Sequence, residues 1–85
     1  MKVHKKSVEV DAVQWTGDLE AFMRGWAEAP ERPMFTVGPD VSRLRLYTLN
    51  GYVDVEPGDW VILGTTPGDF YPCKRDIFPT LFDPA

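Results

Sequence analysis

The sequence predicts an α+β domain in which one antiparallel sheet of about five strands carries one amphipathic helix. Three observations predict it. Val8, Val10 and Ala12 alternate with Ser7, Glu9 and Asp11 at the period of two that turns one face of a strand to a core. Leu19, Phe22, Met23 and Trp26 recur at i, i+3, i+4 and i+7, the stripe of a short helix. Leu49-Asn50-Gly51-Tyr52 carries a two-residue hairpin signal, because Asn and Gly tolerate the positive φ of a type I′ turn.

The first strand is expected from Lys6 to Trp15. Val13 and Trp15 fall on the other face from Val8 and Val10, which predicts a bulge, or an exit from the sheet that lets Trp15 cover the far side. Thr16-Gly17-Asp18 supplies N-cap residues for the helix. Gly25 costs that helix about 1 kcal/mol relative to alanine, and Pro30 and Pro33 stop it, so it forms only by docking on the sheet. Met34 to Val37 is a short strand, followed by the turn cluster Gly38-Pro39-Asp40.

Pairing Leu49 with Tyr52 across the hairpin sets Thr48 opposite Val53, Leu46 opposite Val55 and Arg45 opposite Glu56. One face then carries Leu44, Leu46, Thr48, Val53 and Val55, and the other Arg43, Arg45, Tyr47, Asp54 and Glu56. Trp60-Val61-Ile62-Leu63 is an unbroken apolar run that suits a central strand covered on both faces. Phe70 to Cys73 returns at the sheet edge, where Pro72 is tolerated. Asp76 is expected to cap one helical turn that Pro79 ends, with Leu81 and Phe82 folding back on the core.

Eighty-five residues make a single domain, 1–85, with residues 1–6 and 83–85 expected to fray. Apolar residues at 44% supply a core, and charged residues at 26% match a globular surface rather than a disordered segment. One cysteine and one histidine are too few for a disulfide framework or a structural zinc site, so no metal and no cofactor are expected. No apolar run approaches the roughly 18 residues of a membrane span, and the basic start of the chain lacks the apolar stretch of a signal peptide. The expectation is a cytoplasmic protein with no membrane partner.

A net charge of −4 argues against nucleic acid as a partner, since phosphate contacts need clustered Lys and Arg. Lys2, Lys5 and Lys6, and Arg43 with Arg45, are the small exceptions. Cys73 beside Lys74 and Arg75 has the surroundings of an activated thiol, but a catalytic cysteine needs a base in reach and the single histidine is His4, far off in sequence. Among the acids, Asp59 and Asp69 each follow a turn glycine and are expected to accept local backbone N–H bonds, which explains them without a metal or an acid/base pair. Gly58, Gly64 and Gly68 lack the spacing of a phosphate loop. No catalytic residue is assigned.

The three Trp, three Tyr and five Phe are more rings than one small core needs. Exposed aromatics beside charges are what a protein-binding or self-association patch requires, and Tyr47, Leu49 and Tyr52 with Arg43 and Arg45 on the hairpin are the candidates. A small-ligand or nucleotide module would instead use a pocket lined by Trp60, Tyr71 and Arg75.

With these residues in view, the chain resembles a family of small phage and prophage proteins of unassigned role. The likeness runs from Val10-Asp11-Ala12-Val13-Gln14-Trp15-Thr16-Gly17-Asp18 to a terminal signature, Gly58-Asp59-Trp60-Val61-Ile62 followed by Gly68-Asp69-Phe70-Tyr71-Pro72-Cys73-Lys74-Arg75-Asp76-Ile77-Phe78. Asp69 stands where the family pattern has glutamate and Arg75 where it has proline, while the segment 28–42 matches no part of the pattern. The resemblance implies a phage origin and the cytoplasm of a bacterial host, and it implies no reaction. The functional expectation is a non-enzymatic accessory protein that binds a host or phage protein, or itself. A ligand-binding module is the alternative, ahead of a virion assembly protein or a Cys-dependent enzyme.

Overall fold

The computed structural model describes residues 1–5, 8–40 and 43–84 of the chain. Its elements in order are β1 (Lys2–Lys5), β2 (Val8–Gln14), α1 (Leu19–Gly25), β3 (Met34–Val37), β4 (Leu44–Thr48), β5 (Gly51–Val55), β6 (Trp60–Leu63), β7 (Phe70–Cys73), α2 (Phe78–Leu81) and β8 (Asp83–Pro84). The α+β class holds, but the strands form two antiparallel sheets rather than one. The larger has the order β7-β6-β2-β1-β8, four strands with a two-residue fifth at its edge, and the smaller has β3-β4-β5.

The second sheet is required because the middle strands of the first are apolar on both sides. Val10, Ala12 and Ile62 face a cluster with Val3, Cys73, Phe78 and Phe82. Val13, Trp15, Val61 and Leu63 face the opposite way, against Leu44, Leu46 and Val55 of the smaller sheet and Phe22 and Trp26 of the helix. β6 is the two-faced interior strand its apolar run predicts, and β7 with Pro72 lies at the edge.

There is no slip of phase in β2. Asp11, Ala12, Val13 and Gln14 pair in unbroken register with Leu63, Ile62, Val61 and Trp60, and Trp15 N–H continues the ladder to the Asp59 carbonyl at 2.8 Å. The expected bulge is absent, and Trp15 covers the far face because both faces of the strand are core. Lys6 and Ser7, in the expected start of that strand, lie outside the described residues.

Two ends expected to fray are paired instead. Lys2–Lys5 is an interior strand between β2 and β8, with His4 opposite Glu9 on one side and Asp83 on the other. Val3 at 1% exposure and the Lys2–Asp11 ion pair at 3.0 Å hold it there. Ala85 lies outside the described residues.

Asp18 caps α1, its carboxylate accepting from Ala21 N–H at 3.1 Å. Phe22 and Trp26 are buried, each worth about 1.5–3 kcal/mol in removed apolar surface. Leu19 and Met23 of the same stripe stay exposed, so only half of the predicted face docks. Trp15, Phe22, Trp26, Phe35 and Phe70 meet edge to face at centroid distances of 5.2–6.1 Å, an arrangement that ring quadrupoles favour.

At the other end, Ile77 and not Asp76 occupies the cap of α2, without a side-chain bond, and Pro79 lies in the first turn of the helix instead of ending it. A proline there forgoes a donor that no carbonyl awaits. Phe82 folds back on the core as expected, whereas Leu81 stays exposed.

Candidate functional site

The smaller sheet buries one face and leaves the other open. Phe35 and Val37 of β3, Leu44 and Leu46 of β4, and Val53 and Val55 of β5 turn inward, which by the strand period sends Met34, Thr36, Arg45, Tyr47, Tyr52 and Asp54 outward. The register then lines up two rows across three strands. Met34 lies opposite Tyr47, which lies opposite Tyr52, and Thr36 lies opposite Arg45, which lies opposite Asp54.

The hairpin register differs from the predicted one. Thr48 pairs with Gly51 and Leu46 with Val53, so Leu49 and Asn50 form the loop and Gly51 opens the returning strand at φ 120°. Thr48 Oγ1 accepts from Asn50 N–H at 3.2 Å and donates to the Gly51 carbonyl at 3.1 Å, fixing the turn one residue earlier than Asn-Gly alone would. Each strand position moves by two relative to its expected partner, so the two faces keep their members. Leu44 now meets Val55, both fully buried, which the predicted pairing would have denied them.

The ion pairs change with the register. Arg45 faces Asp54, with Nε 3.4 Å from Oδ1, and Arg43 reaches Glu56 at 3.9 Å. The Arg45 guanidinium lies 4.1 Å from the centre of the Tyr52 ring, within cation–π range, and the Tyr47 and Tyr52 rings are 6.2 Å apart. Met34 is 74% exposed, Tyr47 42%, Leu49 64% and Tyr52 57%. Sequence reasoning named all of these but Met34, whose alternation with Phe35 in a four-residue strand was the available signal.

Two grooves flank this face. One of about 350 Å³ is lined by Glu31, Arg32, Met34, Tyr47, Leu49 and Phe70, and its floor is fixed by the Glu31 carboxylate, whose two oxygens both accept from Gly68 N–H at 3.0 Å. The other, of about 340 Å³, lies among Thr36, Arg43, Arg45 and Asp54.

The residues of the alternative ligand pocket lie on and beside the larger sheet. Trp60 and Tyr71 share the face that packs on Phe78 and Phe82, and the Trp60 ring stacks on Phe78 at 3.9 Å with 5° between the planes. That covers one face of the indole. Burial raises the Tyr71 phenol above its ordinary range, with Asp69 and Cys73 adding to it. Arg75 is directed to the turn after β5, where Nη1 donates to the Pro57 carbonyl at 2.8 Å.

Cys73 is buried in the edge strand β7, while His4 lies on β1 beside Glu9 at 3.5 Å. Two strands intervene and Cys73 lies level with Gln14 whereas His4 lies level with Glu9, five residues along β2, so at ordinary strand spacing and rise the two are about 20 Å apart. Asp59, expected to serve its own turn, instead accepts from Lys74 Nζ and from Arg75 N–H, each at 3.2 Å. Among the described residues, no three His, Cys, Asp or Glu side chains are grouped to hold a metal ion, and no helix is long and apolar enough to cross a membrane. Comparisons with protein families, with curated proteins and with solved structures gave no match.

Proposed function

We propose that this protein is a non-enzymatic interaction module, of the phage accessory kind its terminal signature resembles, acting in the cytoplasm of a bacterial host and binding a protein through the outer face of its smaller sheet. One observation carries the proposal: four large side chains, Met34, Tyr47, Leu49 and Tyr52, stand 42–74% exposed on one sheet face and its hairpin tip. Tyrosine and methionine are favoured in interface centres, the first because a rigid ring gives contact area for little entropy and the second because its chain adapts. The Arg45–Asp54 and Arg43–Glu56 pairs give that centre a polar margin.

The test is a purified complex. The chain is expected to elute with a stoichiometric protein partner from host lysate, and the double variant Tyr47→Ala, Tyr52→Ala to lose it while unfolding at the same temperature. Equal capture by the double variant, or no complex, would remove this face as the contact surface. Cys73→Ser is expected to leave the biological effect unaltered, and its loss in a folded variant would point to thiol chemistry instead.

A further inference from the structure

We propose that a second copy of this chain occupies the free edge of β5: two β5 strands add antiparallel about a twofold axis through Val53, joining two three-stranded sheets into one of six. This deepens the preceding reading by naming what lies beside Tyr52 on the same face.

The two sheets present four edges, and three of them are blunted. β7 carries Pro72, β8 is two residues long and includes Pro84, and β3 has four residues directly preceded by Pro33. Prolines and short lengths are the usual devices against edge-to-edge pairing, since they remove donors from the exposed ladder. β5 has neither. Its five residues, Gly51–Val55, contain no proline, and among the described residues its one strand neighbour is β4.

Side chains select the register. A continuous sheet needs the outer faces of both copies on the same side, which confines the axis to whole residues, because a one-residue slip sets inner against outer. An axis through Asp54 would oppose two carboxylates, which is repulsive. An axis through Val53 sets Val53 against its copy and Tyr52 against the second copy's Asp54, twice. The Arg45 guanidinium already lies over the Tyr52 ring at 4.1 Å and beside its own Asp54 at 3.4 Å. In the pair its own Asp54 is beside it and the second copy's Asp54 stands opposite the Tyr52 ring that it covers, so acid and base alternate across the seam.

The full chain is expected to sediment as a reversible monomer–dimer mixture. Asp54→Arg should lower the association constant about tenfold or more by setting cation against cation, and Arg45→Asp combined with Asp54→Arg should recover it. Thermal unfolding of each variant establishes that it is folded. A monomer at every concentration, or a dimer indifferent to Asp54→Arg, overturns the inference. A monomer that still binds a foreign protein through Tyr47 and Tyr52 overturns the dimer while leaving the interaction face in place. A dimer sensitive to Asp54 that binds no foreign protein supports the dimer and removes the foreign partner.

Discussion

Gly25, the last residue of α1, lies against Val13 of β2 so closely that a Cβ built on it would be 2.7 Å from Val13 Cγ1 and 2.9 Å from Cγ2. The helix reaches the sheet through the missing side chain. This is why a residue that weakens the helix is present near its end. Gly25→Ala gains about 1 kcal/mol of helix propensity but forces a methyl into a stiff β-branched neighbour, a cost of about 1–3 kcal/mol. The expected net change is destabilising, read as a lower urea midpoint. Val13→Ala in the same chain should make the two changes cost less together than their sum, since the clash is shared.

Asp59 is 4% exposed and ties the turn after β5 to the turn after β7 through Lys74 Nζ and Arg75 N–H. Asp59→Ala removes the acceptor of both Arg75 N–H, in a part-buried bond, and the Lys74 ammonium, and we expect a loss of about 1–2 kcal/mol by denaturant unfolding. Asp59→Asn keeps an oxygen for Arg75 N–H and should cost less. Equal losses would mean that the charge on Lys74 matters more than the backbone bond.

Lys74 has its pKa raised, first by its hydrogen bond to Asp59, then by the charge of that acid, with Glu56 at 3.7 Å adding to both. A folded-state pKa above the unfolded one adds stability that is complete below the ordinary lysine value of 10.5 and disappears as pH rises through the folded value. Lys2, raised by Asp11, and Tyr71, raised by burial, act in the same direction. Unfolding midpoints should therefore fall on the alkaline side, and Lys74→Met should make that fall shallower. A Lys74→Met profile parallel to the unaltered chain would contradict the assignment.

The indole nitrogens of Trp15 and Trp26 are buried with no hydrogen-bond partner among the described residues. An unmet buried donor costs about 1–3 kcal/mol. Trp26→Phe removes that donor while retaining a ring for Phe22 and Phe70, so its stability is expected within about 1 kcal/mol of the original, against a loss of about 3–5 kcal/mol for Trp26→Ala. Calorimetry distinguishes the two outcomes.

Much of this fold is legible in short-range pattern. The cap at Asp18, the two-faced strand at Trp60–Leu63 and the edge position of Pro72 each follow from a local rule that nothing distant overrides. What escaped is set by distant partners. Lys2-Val3-His4-Lys5 has a single apolar side chain and becomes an interior strand only because β2 and β8 flank it. The hairpin is visible in Asn50-Gly51, but its register answers to the Thr48 hydroxyl and to the burial of Leu44 against Val55. Half of the helix stripe docks because Val13 and Trp15 offer α1 a narrow seat. On the candidate face, alternation located the tyrosines, and the contact of Arg45 with Tyr52 needed the true pairing.

The short ladder in which Val3 meets Pro84 and His4 meets Asp83 brings head and tail to one corner of the molecule. Force applied through tethers at the two termini would peel those pairs apart one after another, as a zipper opens, instead of shearing them together. These two pairs would therefore part under such a load before the longer ladder between β2 and β6 bears it.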